Sequence, residues 1–420
     1  MNIFIKAVNY IWLHTWKYRA VKRQHRQYVS AMRGRKPVNV VFMAIDLALW
    51  RYQYLYDIMN ADERFCVSIV LSPCLGREQK EQDMKGLRDF FDQNHIKYID
   101  YNPHSAPYDI KNELNPDIIF YTQPYEYLLT PEHDCRAFYN RLVCYMPYGF
   151  NTFAKWSYNL HFCNLAWRLY YPTKESLEQA MKLSDNHGEN VRISGYANAD
   201  GYFQQHHHSV WKVMNDGKNR KRIIWAPHFT IQKQSETIPA RSNFLWMADF
   251  MLHLAQEYKD LLQISFKPHP TLLTRLYQHK EWGKTRTDAY YEQWRSMANT
   301  QLETGEYVDL FMTSDAMIHD CASFSGEYHY SEKPVMFVSK DVKSVLSQLS
   351  SVGQKALSLH YLGATYADIR HFIDDVVLGE NDPMRPQREQ FVKDYLLPPG
   401  GKSVAQNVLD DIVESLHLND

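Results

Sequence analysis

Short apolar runs alternate with longer segments of helical periodicity along most of the chain. The first run, Val38–Ile45, is entered through Lys36-Pro37, and a helical pattern follows over Trp50–Met59. Phe65–Leu71 reads as the next strand and stops at Ser72-Pro73. A charged helix is expected over Arg77–His95, then a short strand at Lys97–Ile99. Ile118–Tyr121 and Leu142–Met146 have the continuous apolar character of strands covered on both faces. The pattern then restarts with Val191–Ser194, Arg222–Trp225, Leu262–Phe266, Ala316–His319 and Val335–Val338 as strands. A helix is expected over Asn243–Tyr258, and an amphipathic one over Ser403–Leu416 after the Pro398-Pro399-Gly400-Gly401 break. Alternating strands and helices predict parallel sheets with crossover helices. The restart predicts an α/β fold of two Rossmann-like, doubly wound domains facing a cleft, with a closing C-terminal helix. The expected boundaries are 1–36 for a basic N-terminal helix, 37–185 and 186–400 for the two domains, and 401–420 for the last helix.

Composition narrows the function classes. The 420 residues hold 47 basic and 48 acidic side chains, a net charge of -1, which argues against a protein built to neutralise nucleic acid. Six scattered cysteines without a CxxC pair exclude a zinc ribbon and a disulfide scaffold, and point to a reducing compartment. The 30 tyrosines read either as core or as a surface that stacks sugars or bases. Residues 1–45 carry nine Lys or Arg and no Asp or Glu. Their apolar stretch precedes the basic cluster of Lys17, Arg19, Lys22, Arg23 and Arg26. A secretory signal has the opposite order. Either a helix in the membrane interface or a helix packed on the domain, with a solvated basic end, fits this segment.

In doubly wound sheets ligands sit at the carboxyl ends of strands, so the chemistry is expected in four strand-end loops. Pro147-Tyr148-Gly149-Phe150, followed by Asn151, is either a plain turn or a ligand loop. Ala226-Pro227-His228-Phe229 places an imidazole beside a rigid proline. Lys267-Pro268-His269-Pro270 brackets a second imidazole with two prolines and adds a lysine, a natural pairing for a phosphate dianion. The fourth loop runs His319-Asp320-Cys321-Ala322-Ser323-Phe324-Ser325-Gly326-Glu327, where a helix is expected to open at Ser323 and offer backbone N–H groups to phosphate oxygens. Glu327, one turn on, could meet ribose hydroxyls. The alternative is an ordinary helix capped by Ser323. No P-loop, G-x-S-x-G or zinc spacing is present, and the adjacent His206, His207 and His208 point in different directions.

At these loops the chain resembles the CDP-glycerol glycerophosphotransferase family, the teichoic-acid primases and polymerases. The resemblance runs in order over about residues 38–400. It comprises Gly195-Tyr196-Ala197-Asn198-Ala199-Asp200, the strand ending Ala226-Pro227-His228, Lys267-Pro268-His269-Pro270, and the series Asp309, Asp315, Asp320, Ser323 that continues to Glu327 and Lys333-Pro334-Val335. The resemblance implies a GT-B fold and transfer of an alditol phosphate, glycerol phosphate first among them, from a CDP-linked donor to an acceptor hydroxyl with release of CMP. It implies that Lys267, His269, Asp320, Ala322, Ser323, Phe324 and Glu327 hold the donor. The acceptor side falls on Asp46, Gly149 and Asn151. The family's Trp-His-Gly-Thr loop is replaced here by Met146-Pro147-Tyr148-Gly149-Phe150, so Tyr148 stands where the presumed base should be. Tyrosine is a poor base near neutrality. The catalytic set expected is therefore His228, His269 and Tyr148, with His228 the candidate base and Asp46 the weaker one.

No metal or other cofactor is expected beyond the CDP-linked substrate. The implied acceptor is a glycan or lipid-linked hydroxyl of the bacterial cell envelope, a capsule or teichoic-acid-like polymer. The implied location is the cytoplasm, at the inner face of the membrane through residues 1–36. Two other readings stay open: a GT-B glycosyltransferase using a nucleotide sugar, and a protein that binds the nucleotide without turnover.

Overall fold

The computed structural model describes residues 16–76, 80–150, 155–233, 240–321 and 323–419. The chain divides into an N-terminal unit, Met1–Asp200 with Leu396–Asp420, and a C-terminal unit, Gly201–Tyr395. Each is built on a six-stranded parallel sheet covered by helices.

The N-terminal sheet has the order β2-β1-β3-β4-β5-β6. Its strands are β1 Val38–Ala44, β2 Phe65–Leu71, β3 Ile118–Tyr121, β4 Leu142–Tyr145, β5 Arg168–Tyr171 and β6 Val191–Ile193. The first four follow the apolar runs. Lys97–Ile99 contributes only an isolated bridge from Ile99 to Val70. Two helices of this unit bear on function, α1 Tyr18–Met32 and α2 Gln53–Asn60. Helix α1 buries Val21, His25 and Met32 and leaves Arg19, Arg23 and Arg26 exposed.

The strand pattern places Val191–Ser194 at the opening of the second domain, but β6 pairs in parallel with β5 and completes the first sheet. The compact units accordingly separate after Asp200, not after 185. The last helix, Val404–Ser415, also belongs to the N-terminal unit and packs on α2. Its Asp411 accepts hydrogen bonds from Arg168 (3.1 Å), Tyr170 (2.9 Å) and Arg192 (3.2 Å) along β5 and β6. Asp200 closes the same joint, accepting from the backbone N–H groups of Val404 (2.7 Å) and Ala405 (2.9 Å) at the helix start. Gly195 lies at φ +101°, and a Cβ there would stand 2.8 Å from Val404 Cγ2. Gly195→Ala should therefore cost about 2 kcal/mol or more, read as a lowered midpoint in urea. A midpoint unchanged from wild type would contradict this packing.

The C-terminal sheet has the order β12-β11-β10-β7-β8-β9. The strands are β7 Lys221–Ala226, β8 Leu262–Phe266, β9 Thr300–Leu302, β10 Ala316–His319, β11 Val335–Val338 and β12 Tyr361–Gly363. From β7 the chain builds outward through β8 and β9, then returns to lay β10 on β7's other side. That reversal is a topological switch point, where the loops after β7 and β10 diverge and leave room for a ligand. Helices α3 Phe244–Glu257 and α4 Pro270–Gln278 follow β7 and β8. The core is aromatic, with Trp225 packed on Phe266 (ring centroids 4.9 Å apart) and on Trp294 (5.5 Å). Tyr52, Tyr121, Tyr158, Tyr170, Tyr196, Tyr202 and Tyr328 are fully buried, so much of the tyrosine content is core.

Candidate functional site

The loops after β7, β8 and β10 meet in the C-terminal unit, and Asp320 ties two of them together. Its side chain is buried at the end of β10. Oδ1 accepts the backbone N–H of His228 (2.6 Å). Oδ2 accepts the backbone N–H of Asn243 (2.5 Å) and its Nδ2–H (3.3 Å). Asn243 also donates to the carbonyl of Val338 at the end of β11 (2.8 Å). One carboxylate thus ties the β7 loop to the start of α3. Burial pushes its pKa up to about 6 against the pull of these N–H donors. Asp320 was expected to touch the donor. Its oxygens are instead engaged in shaping the site.

Above this clamp, the rings of His228 and His269 lie 5.1 Å apart, centroid to centroid, and both contact Phe229. The backbone N–H of His269 donates to the Pro227 carbonyl (3.0 Å), which docks the β8 loop on the β7 loop. His269 is also the N-cap of α4: its Nδ1 accepts the Thr271 N–H (3.2 Å), with Pro270 at the first helical position. The ring proton of the neutral imidazole therefore sits on Nε2. His228 Nδ1 pairs with Thr230 Oγ1 (2.9 Å). Burial, with His269 and Arg241 nearby, lowers the His228 pKa to about 3. A half-buried imidazole that resists protonation is a weak general base, but it can donate a hydrogen bond to a phosphate oxygen.

Arg241 was not singled out in the sequence. It enters through the backbone: its N–H donates to the Thr230 carbonyl (3.0 Å), and its charge acts on His228. Its guanidinium pairs with Gln348. The Arg241-Ser242-Asn243 segment just before a helix was the available signal, because N-terminal loops of crossover helices face the strand ends.

Lys267 and the rest of the fourth loop belong to a second cluster. The Lys267 ammonium donates to the Gly305 carbonyl (2.7 Å) and lies over the ring of Tyr307 (5.3 Å). Tyr307 in turn donates to Glu327 Oε2 (2.6 Å), and Tyr202 reaches the same oxygen (3.4 Å). Phe324 packs against Tyr307 (5.3 Å). Glu327 is only 1% exposed, so its carboxylate lies behind the tyrosines rather than open on the surface. Ser323 has helical torsions and makes no side-chain cap, and the helix it precedes, Phe324–Glu327, is one turn long. Ala322 lies outside the described residues.

The expected acceptor-side residues belong to the N-terminal unit, also at strand ends. Asp46 follows β1 and caps the turn Leu47–Leu49, accepting the Ala48 N–H (2.9 Å). Tyr148 follows β4. Its hydroxyl lies 3.5 Å from that of Tyr125, and its carbonyl accepts from Tyr196 (3.3 Å). Gly149 is half-buried beside it, and Asn151 lies outside the described residues. His207 pairs with Asp309 (3.0 Å). No group of three or more His, Cys, Asp or Glu among the described residues is placed to hold a metal ion.

Residues 154–347 match the family model for CDP-glycerol:poly(glycerophosphate) glycerophosphotransferase, a span that holds both clusters. No curated protein matches the chain in sequence. Among solved structures, the wall teichoic acid polymerase TagF is 13% identical, with 99% of this chain and 98% of that chain covered at a TM-score of 0.58. The UDP-GlcNAc 2-epimerase from Neisseria meningitidis, bound to UDP-GlcNAc, is 14% identical over 89% of this chain and 99% of that one, at a TM-score of 0.55. At such identities the likeness is one of fold, two parallel-sheet α/β domains of GT-B type. The chain is a transferase of this architecture. Over residues 154–347 it is similar to the CDP-glycerol:poly(glycerophosphate) glycerophosphotransferase family.

Proposed function

We propose that the C-terminal unit binds a CDP-linked alditol, CDP-glycerol in the first place, and that the protein transfers its glycerol phosphate to a hydroxyl of a cell-envelope glycan or lipid-linked acceptor. The observation that carries this reading is the convergence of His228, His269 and Arg241 at the sheet's switch point. Three donors there match the charge and the many acceptor oxygens of a pyrophosphate. A solved variant of the TagF polymerase soaked with CDPG points to the same donor chemistry on this fold.

The acceptor hydroxyl oxygen attacks the β-phosphorus, the bond to the bridging oxygen breaks, CMP leaves with the electron pair, and the hydroxyl proton passes to the departing phosphate or to water. His269 Nε2–H and Arg241 are assigned to the pyrophosphate oxygens, where charge builds on the leaving group. His228, kept neutral by burial, is assigned as a further donor and not as the base. Phosphoryl transfer through a loose transition state depends mainly on positioning and charge neutralisation, with little demand for a strong base. Asp46 and Tyr148 are left as acceptor-side groups. The Tyr307–Glu327 pair is assigned to the ribose end, Tyr307 making the contact and Glu327 orienting its hydroxyl. A thermal-shift panel of CMP, CDP, UDP, GDP and CDP-glycerol tests the donor. Stabilisation by cytidine nucleotides is expected, and a response confined to UDP or GDP would instead indicate a nucleotide-sugar transferase.

The basic segment supports a place at an anionic membrane surface. No helix among the described residues is long and apolar enough to cross a membrane. Arg19, Arg23 and Arg26 recur at spacings of four and three on the exposed side of α1, with no acidic residue in its first turn. Each cation near an anionic surface contributes about 1 kcal/mol. Replacing all three by glutamine should weaken binding to phosphatidylglycerol-containing vesicles roughly 100-fold. Equal sedimentation of both proteins with the vesicles would contradict the assignment.

A further inference from the structure

We propose that a groove at the N-terminal edge of the C-terminal sheet binds a chain of linked phosphates. The groove encloses about 780 Å³ and is lined by Trp211, Lys212, Lys218, Arg220, Arg222 and Lys333, with Asp315 as its one acidic residue. It lies at the starts of β7 and β10 and just before β11. The candidate donor site lies at the other ends of these strands, roughly 20 Å away for the six residues of β7. The two sites are therefore distinct.

The charge is not balanced locally, in a chain whose net charge is -1. Lys218 is paired with Asp260 (2.6 Å), and Arg220 with both oxygens of Asp216 (2.8 and 2.5 Å). Among the described residues, the other three cations meet no carboxylate in hydrogen-bond contact. Lys212 donates to the Met297 carbonyl (2.8 Å). Lys333 donates to the carbonyls of Met312 (2.7 Å) and Ser314. The Arg222 guanidinium sits over the ring of Trp211 (5.8 Å). Asp315 uses Oδ2 to accept the Arg222 backbone N–H (2.7 Å). Burial lowers the Lys333 pKa; Asp315 opposes this, and Arg222, the smaller influence, adds to the lowering. Two like charges held together in a partly buried groove are relieved by an anion.

Size and shape select among anions. The volume lies within the roughly 300–1,000 Å³ of ordinary ligand sites and exceeds what a single phosphate fills. Trp211 is buried, with its indole N–H donated to Thr313 (3.1 Å), so it offers no face on which a nucleobase could stack. What remains is a row of cations suited to phosphates in series.

Calorimetry on the full chain with inorganic tripolyphosphate, and separately with orthophosphate, tests the site. Tripolyphosphate should bind at least tenfold more tightly than orthophosphate. Its affinity should fall at least tenfold in an Arg222→Gln/Lys212→Gln variant whose affinity for CMP is unchanged. Hydrogen exchange on the wild-type protein needs no variant, and tripolyphosphate should protect segments 209–222 and 312–315. Protection confined to 226–230 and 267–270, or a variant affinity within twofold of wild type, would overturn the proposal. So would loss of phosphatidylglycerol-vesicle binding in the variant when tripolyphosphate does not bind the wild type, because the groove would then be a lipid-headgroup site.

Discussion

His269→Asn is expected to leave the protein folded at nearly wild-type stability and to lower kcat for CMP release from CDP-glycerol by about 10²–10³-fold. The two halves of this result separate two jobs of one side chain. His269 Nδ1 accepts the Thr271 N–H and so caps α4. Asparagine is a good capping residue, so it keeps that acceptor and the helix start. What it loses is the Nε2–H that the ring can donate to a pyrophosphate oxygen. His269→Ala removes both functions and should additionally cost about 1 kcal/mol. A purely structural His269 would show the opposite order, with activity tracking stability and with asparagine rescuing both. Turnover by His269→Asn within twofold of wild type would remove His269 from the site.

Asp320→Ala carries the largest expected loss of stability, about 3–5 kcal/mol. Truncation strands the His228 and Asn243 backbone N–H groups in a buried place, and each unsatisfied donor costs about 1–3 kcal/mol. The pH dependence has a defined sign. The folded pKa of Asp320 is raised to about 6 from 3.8, so folding favours the protonated form. Its contribution to stability is fullest below pH 3.8 and is lost as the pH rises through 6. Asp320→Asn keeps the shape without titrating. Relative to it, the wild type should lose roughly 1.4 kcal/mol per pH unit between about pH 4 and 6. Urea unfolding of both proteins at several pH values measures this difference. A difference that does not change with pH would mean that Asp320 titrates alike in both states.

Much of the C-terminal unit was legible in the chain because its signals are local. A β-branched or aromatic run ending in Pro-His or Lys-Pro-His states both a strand and the loop that caps it, and His228 and His269 lie where that reading puts them. The missed strands have weaker signals. β9 and β12 are three-residue edge strands, and β5 begins with arginine. The displaced boundary has a longer-range cause. β6 pairs with β5 in the first sheet, and Asp411 and Asp200 fasten the C-terminal helix to the same unit across more than 200 residues of sequence. No local pattern carries such a pairing. Roles within the site were less legible than places. A carboxylate at a strand end reads as a ligand contact, but whether Asp320 faces a ligand or ties backbone N–H groups together depends on neighbours such as Asn243. The same holds for Glu327, which two tyrosines cover, and for Arg241, whose position depends on the Thr230 carbonyl.

The cluster of His228, His269 and Arg241 is assigned to a CDP-linked donor for phosphoryl transfer. Its most direct test follows nucleotide release by the full chain from CDP-glycerol and from UDP- and GDP-sugars, with a glycerophosphate-terminated acceptor, in wild type and His269→Asn. CMP release from CDP-glycerol is expected, dependent on the acceptor and reduced at least 100-fold in the variant. Release of UDP or GDP from a sugar donor with CDP-glycerol untouched, or CMP release equal in both proteins, would contradict it.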